Sequence, residues 1–314
     1  MKRLFAILLI CALCLLCACG SEAHDGAVRI GALTGPTAMG LVKLRDDGEN
    51  ALTENEYEFT LKSEAAAFGA ALASGELHIA AVPANLAAVI YNNTKGAVKI
   101  LAVNVLGVLY IVERGESVTE LSDLSGRTLY AAGEGAVPEF TLRYLTDGLS
   151  EPPDIHWCAD TTEVLSRLTA DENALAMLPQ PFVTVAQGKI DGLRIALDLN
   201  ALWEQTGCSA VTGVIAANAQ FAAEHPDELE TFMNEYAASV NLVLSDADEA
   251  ARLIGKYEIV PEAVAKKALP ACNICCISGD AMMKLMREYY GLLFDIDPAS
   301  TGGSLPDGGL YYVG

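Results

Sequence analysis

The sequence is short of the residues that catalysis most often needs. Only four histidines occur, His24, His78, His156 and His225. No Ser-His-Asp set, His-Glu-x-x-His motif or phosphate loop can be read around them. Triads assemble in space, so this scarcity weighs against an enzyme without excluding one. Positive charge is scarce too: 20 Lys and Arg stand against 41 Asp and Glu, for a net charge of −21. So acidic a surface repels phosphate backbones and anionic headgroups, which argues against nucleic acid as a partner and against docking on lipid through a basic patch. Aromatic residues make up only 7%, and no repeat or low-complexity tract stands out. What is present is 52% apolar and 19% charged over 314 residues. That is the composition of a packed globular chain, long enough for two domains.

Long apolar runs are confined to the N-terminus. Lys2 and Arg3 precede a continuous run from Leu4 to Leu16. This is the layout of an export signal, and the run is shorter than the roughly 20 residues of a membrane span. It ends in Leu16-Cys17-Ala18-Cys19-Gly20-Ser21, which resembles a bacterial lipobox. On that reading residues 1–18 are removed, the Cys19 thiol takes a lipid anchor, and residues 19–26 form a tether. An ordinary cleaved signal is the plainer alternative. The mature chain then has 18 basic against 41 acidic residues, since Lys2 and Arg3 leave with the signal.

Nine cysteines become six after such a cleavage: Cys19, Cys158, Cys208, Cys272, Cys275 and Cys276. The Cys272-Asn273-Ile274-Cys275-Cys276 cluster lacks the second Cys/His pair that a structural zinc site needs, so no metal site is expected. Small buried residues in a strand, or a disulfide in an oxidising compartment, both remain open.

Beyond the tether, short apolar strands alternate with helical patterns. Val28–Leu33, Tyr57–Lys62, Ile79–Val82, Val98–Val103 and Val108–Val112 read as strands, with helices between them. A second set of strands follows from Thr128, and Val211–Ala216 leads out of it. The last third is helical, with apolar stripes over Glu228–Leu244 and Asp280–Phe294 that suit core packing. The rhythm implies largely parallel sheets covered by helices.

Several segments resemble a known family. They are GALTGPTAMGLVKL from Gly31, VPANLAAVIYNNT from Val82, LGVLYIVERG from Leu106, DLSGRTLYAAGEGAVPEFTLRYL from Asp123, MLPQPFVTVA from Met177 and GGSLPDGGLYY from Gly302. In this order they resemble the solute-binding proteins of bacterial ABC importers, in the group serving nitrate, sulfonates and thiamine-pyrimidine precursors. The resemblance implies an α/β, two-lobed periplasmic-binding-protein type II fold, with two mixed sheets flanked by helices and two hinge crossings. Lobe one would comprise 26–106 plus 212–314, and lobe two 107–211. The crossings would fall near Leu106-Gly107 and Val211-Thr212-Gly213, with Gly107 and Gly213 absorbing the hinge rotation. His78 stands where relatives often carry an acid and is expected to be a satisfied structural group.

In open α/β sheets ligands bind beyond the carboxyl ends of strands, where helix N-termini present unpaired N–H groups. Four turns fit: Thr34-Gly35-Pro36-Thr37, the turn holding Asn85, Gly133-Glu134-Gly135, and the turn holding Gln180. With Thr212 they make the expected ligand-binding set. Caps and tight turns are the plainer reading for Thr34, Thr37, Asn85 and the two glycines. Tyr110 or Trp157 would serve an aromatic solute by stacking. The expected role is a lipid-anchored extracytoplasmic monomer that captures a small polar or heterocyclic solute by lobe closure and passes it to an ABC permease, without a cofactor. The alternatives are an enzyme on the same fold, of the cofactor-biosynthesis type, and a surface sensing lipoprotein.

Overall fold

The computed structural model describes residues 26–64 and 66–313. The signal segment and Cys19 lie outside the described residues.

Eleven strands and thirteen α-helices are found among the described residues. The first stretch holds β1 (Val28–Leu33), α1 (Pro36–Met39), α2 (Val42–Glu49), β2 (Tyr57–Lys62), α3 (Ala66–Ser74), β3 (Ile79–Pro83), α4 (Ala84–Thr94) and β4 (Val98–Leu106). The middle holds β5 (Leu109–Arg114), β6 (Thr128–Ala132), α5 (Val137–Thr146), β7 (Asp154–Cys158), α6 (Thr161–Ala170), β8 (Leu175–Pro179), α7 (Phe182–Gln187), β9 (Leu193–Asp198) and α8 (Leu199–Glu204). The last part holds β10 (Val211–Asn218), α9 (Ala219–Glu224), α10 (Pro226–Ser245), α11 (Ala247–Lys256), α12 (Glu262–Ala268), β11 (Ile274–Ser278) and α13 (Gly279–Ile296).

The strands form two sheets, ordered β11-β4-β10-β3-β1-β2 and β7-β6-β8-β5-β9. Sequence pattern decides position. Tyr57–Lys62 alternates half-buried with exposed residues and forms the edge strand β2. The fully buried runs of β3 and β10 are central, as continuous apolar strands should be.

The sheets are mixed, not largely parallel. β10 runs antiparallel to β3 and β4, and β5 antiparallel to β8 and β9. The reason is the crossing. A strand entering from the other lobe starts at the edge where β1, β3, β6 and β8 end, so it must run the opposite way.

The first connection between the sheets is Gly107–Val108, between β4 and β5. The second connection runs through residues 199–210, from the end of β9 through α8 to the start of β10. Val211 already pairs with Leu106, and Gly213 with Pro83 and Val105. Gly213 is therefore held inside a paired strand. Trp203 of α8 is fully buried in one core with Phe140 of α5 and with Met286 and Tyr289 of α13.

Pro226 opens α10, and Leu229, Phe232, Tyr236, Val240 and Val243 fall on its buried face. Met282 and Met286 of α13 are wholly buried, so that methionine stripe is core. His78, buried at the entry to β3, accepts from the Arg29 N–H at Nδ1 (3.3 Å) and meets the Arg29 guanidinium at Nε2. All five described cysteines are free thiols, and Cys272 sits just ahead of β11, not in it. No described helix is long and apolar enough to cross a membrane.

Candidate functional site

Four turns leave the carboxyl ends of β1, β3, β6 and β8, and they meet at one cleft of about 290 Å³. The wall from the six-stranded sheet carries Leu33, Thr34, Gly35, Pro36 and Thr37, with Pro83 and Ser63 beside them. The facing wall carries Gly133, Ala136, Val137, Pro138, Pro179, Gln180 and Phe182. Between the walls lie Val108, Leu109 at the start of β5 and Thr212 near the start of β10.

Each wall is fixed from behind. The Asn104 carboxamide donates to the Thr37 carbonyl at 2.9 Å, and the buried Ser239 hydroxyl donates to the Gly40 carbonyl at 2.7 Å. Thr37 Oγ1 donates to the Leu33 carbonyl at 2.7 Å, which ties α1 to the strand it follows. Opposite, Gln180 is 4% exposed. Its Oε1 accepts from Thr184 Oγ1 at 2.9 Å and from the Thr184 N–H at 3.4 Å. That leaves the Gln180 NH₂ as a donor to the cleft. Thr212 sits where β10 bulges: Val211 and Gly213 pair with successive residues of β4, so Thr212 is the extra residue. A bulge re-aims a side chain, and here Thr212 lies between the walls.

Helices α1, α4, α5 and α7 start at this cleft, and none has a side-chain cap. Elsewhere α6, α8, α9 and α11 are capped by Asp160, Asp198, Asn218 and Asp246. A missing cap is not special by itself, since α2 and α10 also lack one. Four such ends meeting at one cleft are what mark it. Their N–H groups and dipoles favour an electron-rich group.

No charged side chain and no titratable one is among the residues lining the cleft. Hydroxyls of Thr34, Thr37, Ser63 and Thr212 and the carboxamide of Gln180 stand in an otherwise apolar wall. Such a surface suits a small molecule with an apolar body and an acceptor head.

Of the expected set, Thr34, Gly35, Pro36, Thr37, Gly133, Gln180 and Thr212 line the cleft, and Asn85, Glu134 and Gly135 do not. Asn85 is buried in the first turn of α4, with no hydrogen-bond partner for Oδ1 among the described residues. Gly133 has φ +98°, and the chain turns away from the cleft for two residues before returning to it at Ala136. Glu134 is exposed, and the Gly135 N–H donates to Glu139 Oε2 at 2.7 Å, serving the entry to α5. Tyr110 is buried with its hydroxyl on the Ala271 carbonyl at 3.3 Å, and Trp157 packs in the core of the other sheet face. Phe182 is the aromatic that lines the cleft. Ser63 and Phe182 were missed, although Ser63 follows the carboxyl end of β2 and obeys the same strand-end rule.

No protein-family model matches the sequence, and no curated protein matches it. Solved structures do. An ABC transporter protein of Parabacteroides distasonis is 23% identical, with 92% of this chain and 99% of that chain covered at a TM-score of 0.78. The periplasmic aliphatic sulphonate binding protein of Escherichia coli is 16% identical, with 87% and 88% covered at 0.70. A Candida albicans protein described as having the generic periplasmic binding protein fold is 14% identical, with 92% and 99% covered at 0.60. Likeness at these identities speaks for architecture, and it agrees with the two mixed sheets and double crossing: the chain has the periplasmic-binding-protein fold.

Proposed function

We propose that this protein captures a small solute in its cleft and delivers it to an ABC permease, held outside the cytoplasmic membrane by lipid on Cys19. The observation that carries the reading is the cleft itself. Its two walls come from different sheets, and its lining offers hydrogen-bond donors without a nucleophile and base to use them on. A solute touching both walls would stabilise the approach of the lobes. Gly107, at the first crossing, is the residue we assign to the hinge, with the 199–210 connection as the second passage. The Escherichia coli neighbour is named for aliphatic sulphonates. An alkyl chain with an oxyanion head matches the apolar wall and converging helix starts, so short alkanesulfonates lead our candidates, ahead of nitrate and heterocyclic solutes.

A thermal-shift screen of the purified chain tests this. A true ligand at a hundredfold excess over Kd is expected to add about 2.7 kcal/mol of stability. Gln180→Ala should keep the unliganded Tm within a few degrees and lose most of that gain. Turnover of the solute by the protein alone, or a gain untouched in Gln180→Ala, would count against the reading.

A further inference from the structure

A second cluster lies one strand outward from Gly133, at the carboxyl end of β7. His156 and Cys158 are two residues apart on this edge strand, so their side chains share a face. The short turn into α6 brings Glu163 back over them. One ring nitrogen of His156, the Cys158 sulfur and a carboxylate oxygen of Glu163 all lie within 4.8 Å of one another. A tetrahedral zinc site holds such donors roughly 3–4 Å apart, which side-chain rotation can reach.

The Glu163 carboxylate is held in place by its neighbours. The Ala159 N–H donates to Glu163 Oε2 at 3.0 Å and Arg167 Nη2 to Oε1 at 2.9 Å, fixing the carboxylate while each oxygen keeps a lone pair. Asp160 Oδ1 accepts from the Glu163 N–H at 2.9 Å and locks the turn. The Cys158 thiol is buried and engaged only weakly, with the His156 carbonyl at 3.8 Å. The His156 ring packs edge-on against Tyr130, and no hydrogen bond to its nitrogens is found among the described residues. Access comes from the His156 side, which is exposed.

We propose that His156, Cys158 and Glu163 bind a thiophilic divalent cation, Zn²⁺ by chemical class, with water completing the tetrahedron. Nitrogen, sulfur and oxygen donors together suit zinc among the divalent ions. On ligation the Cys158 S–H bond breaks, its proton passes to solvent, and the thiolate pair forms the bond to the metal. No electron is transferred. The site is separate from the cleft and does not depend on the solute reading.

Cobalt(II) is the probe, because a thiolate ligand gives it a near-ultraviolet charge-transfer band. The purified protein titrated with Co²⁺ should show that band at one equivalent, and Zn²⁺ should displace it. Cys158→Ser should abolish it, and a double Cys275→Ser, Cys276→Ser variant should retain it. His156→Gln alters an exposed residue and should keep the Tm while losing most of the band, so it decides the matter if Cys158→Ser folds poorly. No band in the wild type, or a band that survives in Cys158→Ser or stands undiminished in His156→Gln, overturns the proposal.

Discussion

Replacing Arg194, whose side chain is a third exposed, by methionine is expected to destabilise the middle lobe by about 2–4 kcal/mol, because it strips a charge-assisted partner from a buried carboxylate. Glu113 on β5 is 1% exposed. Its carboxylate contacts the Arg194 guanidinium and accepts from the Ser117 hydroxyl at 2.5 Å and the Val118 N–H at 3.0 Å. The guanidinium also donates to the Gly115 carbonyl at 2.6 Å and the Val118 carbonyl at 2.7 Å. One pair thus closes the loop after β5 and ties it to β9. Methionine keeps the stem and removes every donor. A Tm fall of roughly 10 °C is expected at neutral pH.

The sign of the pH effect follows from Glu113. Burial opposes its ionisation, but the Ser117 hydroxyl, the Val118 N–H and Arg194 outweigh burial and hold its pKa below the ordinary 4.5. A carboxyl lowered on folding adds stability above its unfolded pKa and loses it as pH falls through the folded value. The wild type should therefore weaken below about pH 4.5. Arg194→Met should already be weak at pH 7 and show a shallower further decline. Equal Tm values for the two proteins at pH 7 would refute this account of the loop.

The second large effect is expected at Gly213. An added Cβ would stand 2.6 Å from both Asn104 Oδ1 and Thr37 Cγ2. The same Asn104 side chain holds the Thr37 carbonyl through Nδ2, so Gly213→Ala presses on α1, a wall of the cleft. We expect a loss of about 1–3 kcal/mol from overpacking, together with lost solute binding. Gly291 is the control. Nothing lies within 4 Å of its Cβ position, and it is inside α13. Gly291→Ala should stabilise by about 0.5–1 kcal/mol through helix propensity and leave binding unchanged. Gly213→Ala with the wild-type Tm would show that the close approach is not a constraint.

Much of the cleft was legible in the sequence, for a physical reason. Strand ends followed by Pro, Gly and Thr are local features, and the rule that ligands sit beyond strand carboxyl ends is general. Thr34–Thr37, Gly133 and Gln180 were found that way. The rule says nothing about how far a turn stays at the cleft, which is why Glu134 and Gly135 were included. Direction is also invisible: Asn85 starts the right helix with its side chain buried. Pairing is invisible too: the resemblance puts a crossing at Val211-Thr212-Gly213, where the structure pairs Val211 with Leu106 and Gly213 with Val105 and leaves Thr212 as the bulged residue. His156, Cys158 and Glu163 escaped notice because their spacing fits no standard ligand motif. Only the fold of the strand–helix turn joins them.

The most direct measurement is a crystal structure of the protein grown with a solute that raises its Tm. Density should lie between Thr37 and Gln180, within hydrogen-bond reach of both walls, with its apolar portion against Phe182. Density held by one sheet alone, or bound outside these four turns while the cleft stays filled with water, would contradict solute capture between the lobes.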